Sequence, residues 1–216
     1  MTGVQTCALP TTYLEQPLDT GFVEADCIKQ VLDGDEDAFT DIVEHYQTHV
    51  YNLCYRMLGT PQEAEDAAQE CFIRAYRYIK RYDPSRSFAT WLLSIAAHYC
   101  IDQQRKRHLL AIDLDEIIEF GIPDNSPDPE NIVAANEQKD LVQKQLAELP
   151  VKDRMVLILR YWYEFSEIEI SEALDISTSA VKSRLHRARQ HMAEQWNSQE
   201  SSMSTEEGRQ HEPQAI

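Results

Sequence analysis

Two stretches of this 216-residue chain carry side chains whose types and spacing suit contact with nucleic acid. In the first, Tyr76, Tyr78, Tyr82, Phe88 and Trp91 are set among Arg74, Arg77, Lys80, Arg81 and Arg86. Cations hold phosphates and ring faces stack unpaired bases, so this mixture fits a single strand. In the second, Thr178, Lys182, Ser183, His186, Arg187 and Arg189 share a helical face that meets no acid until Glu194. Hydroxyls and bases at the start of such a helix reach base edges in a major groove. Neither stretch brings covalent chemistry with it. There is no Gly-rich phosphate loop, and no Cys or Ser has a recognisable activating partner. His45 and His49 lie four apart, but Glu44 to His49 is not the HExxH order and no third ligand is evident. The chain therefore reads as having no metal, no cofactor and no catalytic residues, and as not being an enzyme.

The second stretch needs a helix-turn-helix to present it, and the sequence spells one. Ser166 and Glu169 have capping-box spacing, with Phe165 and Ile170 placed for a hydrophobic staple. Asp175-Ile176-Ser177 breaks that helix, and Ser177 can cap the next, whose inward stripe is Val181, Leu185, Ala188 and Met192. The first stretch needs a bundle. Helical spacing places Phe39, Ile42, Val43, Tyr46, Val50, Leu53, Cys54 and Met57 on one stripe, and Ala64, Ala67, Ala68, Cys71, Phe72 and Ala75 on the next. Gly59-Thr60-Pro61 stands between them as a C-cap, an N-cap and a first helical position. Asp35 or Asp37 could cap the earlier of the two helices. A further helix is predicted from Ser87 or Phe88 to Arg107.

The helix beginning near Glu63 is sorted by charge. Glu63, Glu65, Asp66 and Glu70 crowd its first half, and Arg74, Arg77, Lys80 and Arg81 its end. That order suits the helix dipole, and it also offers an acidic patch and a basic patch to different partners. The whole chain carries −17, which alone argues against nucleic acid. The bases, however, are gathered at 74–86, 105–107 and 182–189, so DNA-binding patches can sit on an acidic protein. The five cysteines are scattered without CxxC spacing, indicating neither a zinc site nor a disulfide framework. With no apolar run long enough to span a bilayer and no signal peptide, the expected location is the cytoplasm.

The predicted fold class is all-α: a four-helix bundle and a helix-turn-helix domain joined by an acidic flexible linker. The expected divisions are a disordered extension over 1–21, a bundle over 22–108, a linker over 109–135, a second helical domain over 136–196 and a disordered tail over 197–216. Leu110 to Gln138 holds no Lys or Arg, and Gly121, Pro123, Pro127 and Pro129 forbid a long helix through its middle. Met1 to Pro10 resembles translated sequencing-adaptor read-through, and no inference rests on it.

Ala64-Glu65-Asp66-Ala67-Ala68-Gln69-Glu70-Cys71-Phe72-Ile73-Arg74-Ala75-Tyr76 resembles the region 2.2 helix of extracytoplasmic-function (ECF) sigma factors. Phe88-Ala89-Thr90-Trp91-Leu92, with Asp102 and Arg105, is similar to their regions 2.3 and 2.4. Leu149-Pro150, Asp153-Arg154, Leu159-Arg160 and Val181 to Arg189 are similar to region 4. The resemblance implies a subunit of bacterial RNA polymerase. Asp66, Gln69, Glu70 and Arg74 would dock on core polymerase. Tyr82, Ser85, Arg86, Phe88, Trp91, His98, Arg105 and Arg107 would capture the −10 element, holding a flipped base. Ser177, Thr178, Ser179, Lys182, Ser183, Arg184 and Arg187 would read the −35 element. An anti-sigma factor is implied as an inhibitory partner. Two positions depart from the family, which commonly has Asn where this chain has His98 and often Arg where it has Ser94. The alternative is a stand-alone helix-turn-helix regulator, but such a protein needs neither the aromatic-basic block nor the charge-sorted helix.

Overall fold

Gly59, Thr60 and Pro61 end one helix and start another. Gly59 takes φ 94°, and its N–H donates to the Tyr55 carbonyl at 2.9 Å. A side chain would strain that left-handed turn. Thr60 is extended and its hydroxyl accepts the Glu63 N–H at 3.4 Å, while Pro61 fills the first position, where a missing N–H leaves nothing unpaired. The computed structural model describes residues 24–115 and 133–209, with side chains over 24–110 and 141–196. The described elements are α1 (Glu24–Leu32), α2 (Asp37–Leu58), α3 (Pro61–Tyr78) with a 3₁₀ turn at Ile79–Arg81, α4 (Phe88–Asp115), α5 (Val133–Glu148), α6 (Val151–Tyr161), α7 (Glu167–Leu174) and α8 (Thr178–Arg209). No strand occurs among the described residues, so the chain is all-α.

α1 to α4 form the first bundle. The stripes expected on α2 and α3 are its core, with Val43 partly buried at its edge, and Phe88, Leu92, Leu93, Ala96, Ala97 and Cys100 complete it from α4. Alanines at 64, 67, 68 and 75 keep α3 slim against its neighbours. Cys54, Cys71 and Cys100, one from each of α2, α3 and α4, are buried there as free thiols. Hydrogen bonding among them, followed by burial, drives the Cys54 and Cys71 thiols far above the usual range. They are small core residues, not nucleophiles.

α5 to α8 form the second bundle, and its start signals are as the sequence spells them. The Ser166 hydroxyl accepts the Glu169 N–H at 3.2 Å, and the Glu169 carboxylate takes the Ser166 N–H at 2.7 Å. Ser166→Ala should therefore lower the stability of this bundle by about 1 kcal/mol, read from the urea dependence of tryptophan fluorescence. Phe165 and Ile170 are both buried beside the cap. Asp175 closes α7 at φ 50°, a left-handed position that Asp tolerates better than most residues.

α2 starts at a Glu36 cap with no side-chain bond, and the Asp35 carboxylate, one of the two expected caps, accepts the Asp37 N–H at 3.1 Å. Two boundaries differ from the sequence reading. α4 runs to Asp115, not Arg107, because no breaker intervenes before Gly121. α8 continues to Arg209 in place of a tail from 197, there being no Pro or Gly before Gly208. The expected extension over 1–21 and the middle of the acidic linker lie outside the described residues. The two bundles are in contact: α5 and α6 pack on α2, and α6 and α7 on α4, so the buried residues form one continuous cluster.

Candidate nucleic-acid interface

The aromatic group is assembled by the loop before α4. Asp83 accepts the Ser85 N–H on its carboxylate at 3.0 Å and the Arg86 N–H on its carbonyl at 3.0 Å. That turn holds the Asp83 carboxyl below the usual carboxylate range, chiefly through the Ser85 N–H. The Tyr82 hydroxyl donates to the Arg86 carbonyl at 2.6 Å, pinning the loop across the start of α4. Tyr82, Phe88 and Trp91 form a triangle with ring centroids 5.2 to 5.4 Å apart. Phe88 lies 0% exposed at the bottom, against Tyr46. This corrects its assignment as a DNA contact: a fully buried ring supports the other two and touches no ligand. Tyr82 and Trp91 are partly exposed above it, beside exposed Ser85 and Arg86. Further along α4, exposed His98 donates from Nδ1 to the Ser94 carbonyl at 2.8 Å, leaving Nε2 at the surface. Arg105 is exposed and only loosely paired with Asp102 at 3.3 Å. Arg107 is 43% exposed on its side chain, and its guanidinium pairs with the Glu63 carboxylate and donates to the Leu58 carbonyl, bracing the corner between α2 and α3.

The leading end of α8 is open to solvent. Thr178, Ser179, Lys182, Ser183, His186 and Arg187 are exposed. Ser177 is the N-cap: its hydroxyl accepts the Ala180 N–H at 3.2 Å and lies 3.0 Å from that of Ser179. Lys182 reaches Glu167 on α7 at 3.4 Å, an exposed pair worth little. Arg184 and Arg187 differ from the rest of this face. Asp153, only 3% exposed at the start of α6, accepts Arg184 Nη1 at 2.8 Å and Arg187 Nε and Nη2 at 2.9 and 3.0 Å. Burial alone would raise the Asp153 carboxyl. The two guanidinia outweigh it and hold the group below its ordinary value. Arg184, its side chain 23% exposed, is held against α6 as a structural partner of Asp153. Arg187 keeps 55% of its side chain exposed while tied to the same carboxylate. Sequence reasoning named Asp153 only within the region 4 resemblance and gave it no role; the available signal was an acid at the head of the apolar run Met155 to Leu159.

On α3, Asp66 and Gln69 are exposed, and Gln69 lines an open groove between α2 and α3 together with Tyr51, Glu65, Ala68 and Phe72. Glu70 is occupied: Arg74 Nε donates to it at 2.7 Å, and the Arg74 guanidinium sits 4.8 Å over the Tyr99 ring. The expected polymerase-docking set is thus part free and part paired.

The sigma-70 region 2 family matches residues 42–109, and the sigma-70 region 4 family matches residues 139–192. The ECF RNA polymerase sigma factor SigW of Bacillus subtilis is 42% identical over 180 residues, 78% of this chain and 94% of its own length. The chain belongs to the ECF sigma factors. The ECF sigma-E factor of Escherichia coli is 31% identical over 170 residues, covering 76% of this chain and 88% of its own. Two solved folds are similar. CnrH in complex with the cytosolic domain of CnrY has TM-score 0.59 at 21% identity, over 80% of this chain and 96% of that one. The Bartonella quintana sigma factor RpoE with the anti-sigma factor NepR has TM-score 0.56 at 19% identity, over 72% and 94%. In this sigma factor the region 2 match spans most of α2, α3 and the front of α4, and the region 4 match spans most of α5 to the first half of α8. Among the described residues no helix is long and apolar enough to cross a membrane.

Proposed function

We propose that this sigma factor binds core RNA polymerase in the cytoplasm and directs it to start transcription at promoters carrying −10 and −35 elements. The observation that carries the reading is one chain with two readers of different kind. One is an acid-free, exposed leading face on α8, and the other is a pair of partly exposed rings, Tyr82 and Trp91, beside Arg86. A helix suits a duplex groove, and rings suit unpaired bases. We assign Thr178, Ser179, Lys182, Ser183 and Arg187 to the −35 duplex, with Ser177 holding their helix start. Tyr82, Ser85, Arg86, Trp91, His98 and Arg105 are assigned to the −10 strand. Asp66 and Gln69, with the Glu70–Arg74 pair, are the polymerase contacts. The protein acts as an initiation factor rather than an enzyme, and an anti-sigma factor is its expected inhibitory partner.

The test is run-off transcription with purified chain and core polymerase on promoter fragments, followed by start-site mapping. Initiation at a defined site is expected; tight duplex binding that never programs polymerase would support a stand-alone regulator instead. Asp66→Lys with Glu70→Lys should weaken core binding roughly tenfold by reversing charge at the contact, while leaving −35 duplex affinity unchanged. Equal losses in both assays would contradict this division of labour.

A further inference from the structure

The outer face of α4 carries three side chains at seven-residue spacing. Residues so spaced share one side of a helix, two turns and about 10 Å apart along its axis. Trp91 is partly exposed there, and His98 and Arg105 are exposed. The stripe runs from a ring that can stack a base, through an imidazole, to a cation that can meet a phosphate. The imidazole is held in one tautomer. Its Nδ1 lies 2.8 Å from the Ser94 carbonyl oxygen, which can only accept, so Nδ1 carries the hydrogen. In the neutral ring Nε2 then has a lone pair and no hydrogen. The neighbouring side chains are engaged elsewhere. The Ser94 hydroxyl is turned back to the Trp91 carbonyl at 2.7 Å, and Asp102, one turn further on, pairs with Arg105 at 3.3 Å. Among the described residues no group bonds Nε2.

We propose that His98 is a specificity-determining residue of the −10 reader: Nε2 accepts a hydrogen bond from the exocyclic amine of an adenine or cytosine in the major groove, at the paired upstream edge of the element. The inference rests on the promoter reading given above, and it narrows the assignment of His98 from the −10 strand in general to that edge and to one class of base. The position follows from the stripe. His98 lies on the side of Trp91 from which the chain continues to the −35 reader, so it faces the upstream duplex. About 10 Å is about three base steps of 3.4 Å, which places the contact within the first three pairs beyond the stacked base. The choice of base follows from the groove. Adenine offers its N6 amine there and cytosine its N4 amine, whereas guanine O6 and thymine O4 are acceptors and would set one lone pair against another. A Lys or Arg at the same place would make the opposite choice, because it can only donate. The ring is also set before DNA arrives. Its Nδ1 bond fixes its orientation on the helix, so little side-chain freedom is lost when Nε2 finds its donor.

The experiment uses the full chain bound to core polymerase, at pH 8, where free imidazole is uncharged. Binding is measured to forked probes in which a single-stranded −10 segment adjoins the upstream duplex. Each of the first three pairs of that duplex is set in turn to all four identities. At one of them the wild type should favour adenine or cytosine on one strand over guanine and thymine by roughly fivefold to tenfold. His98→Ala removes an exposed side chain and should flatten that preference while keeping those at the other two pairs. The second arm deletes the amine alone: purine replaces adenine, or pyrimidin-2-one replaces cytosine, at the same position. The analogue should cost the wild type a loss of similar size and cost His98→Ala little, because the variant has no acceptor left to satisfy. Unchanged preferences at all three pairs in the variant, or a wild type that favours guanine or thymine at the pair His98→Ala relaxes, would overturn the acceptor role and leave the promoter reading standing. An analogue penalty equal in both proteins would do the same. Failure of the wild type with core polymerase to bind any forked probe or to support run-off transcription would overturn the promoter reading, and this inference with it.

Discussion

Asp153→Ala should remove about 3 kcal/mol of stability from the second bundle, the low end for breaking a buried ion pair because Arg187 is half in solvent. Asp153 ties the start of α6 to two arginines of α8, and it is 3% exposed. Without it Arg184 keeps a charge in a largely buried position, and α8 loses the tie that orients its leading end. The loss should show as faster hydrogen exchange in α6 and α8 and as weaker −35 duplex binding. The folded-state pKa of Asp153 is depressed, so its contribution is complete above the unfolded carboxylate value of about 3.9 and disappears as pH falls through the folded value. Asp153→Asn, which keeps the shape and deletes the charge, should abolish that acid-dependent component. A variant with wild-type exchange rates and wild-type acid sensitivity would show that the two arginines are held by something else.

Phe88→Ala and Trp91→Ala should separate structure from recognition within one aromatic triangle. Phe88 is completely buried among Tyr46, Tyr82 and Trp91, so truncation opens a cavity under all three and should cost about 3–5 kcal/mol of stability in the first bundle. Trp91 is partly exposed, and its removal should cost less stability. It should still weaken binding to a single-stranded −10 probe by about 1–3 kcal/mol, the worth of one stacked base. Urea unfolding and probe titration on both variants decide the matter. A Phe88 variant of normal stability that fails to bind the probe would reverse the assignment of the two rings.

The helices were legible because local signals name them. The Ser166–Glu169 box, the Gly59-Thr60-Pro61 junction and the stripes of α2 and α3 depend only on near neighbours in the chain, and each is realised. Residue roles were less legible where a partner lies far along the sequence. Arg184 enters the −35 set only through the resemblance to region 4, while its phase beside Val181 and Leu185 turns it partly inward. Its partner, Asp153, is 31 residues away. The docking of the two bundles left no trace in the pattern, since Gln143, Arg154 and Tyr163 bond to backbone carbonyls, and a carbonyl looks the same whichever residue carries it. The acidic linker suggested separation, but composition there says nothing about the affinity of the surfaces on either side.

The front of α8 carries Thr178, Ser179 and Ser183, whose hydroxyls extend barely beyond the backbone; Ser183 already donates its own to the Ser179 carbonyl at 2.9 Å. Such stubby groups cannot bridge a gap. If this end enters a major groove as proposed, the helix axis must sink close to the groove floor before any of them can touch a base edge. Stand-off distance then becomes a selection criterion in its own right: sites whose grooves widen easily are favoured before a single base is distinguished.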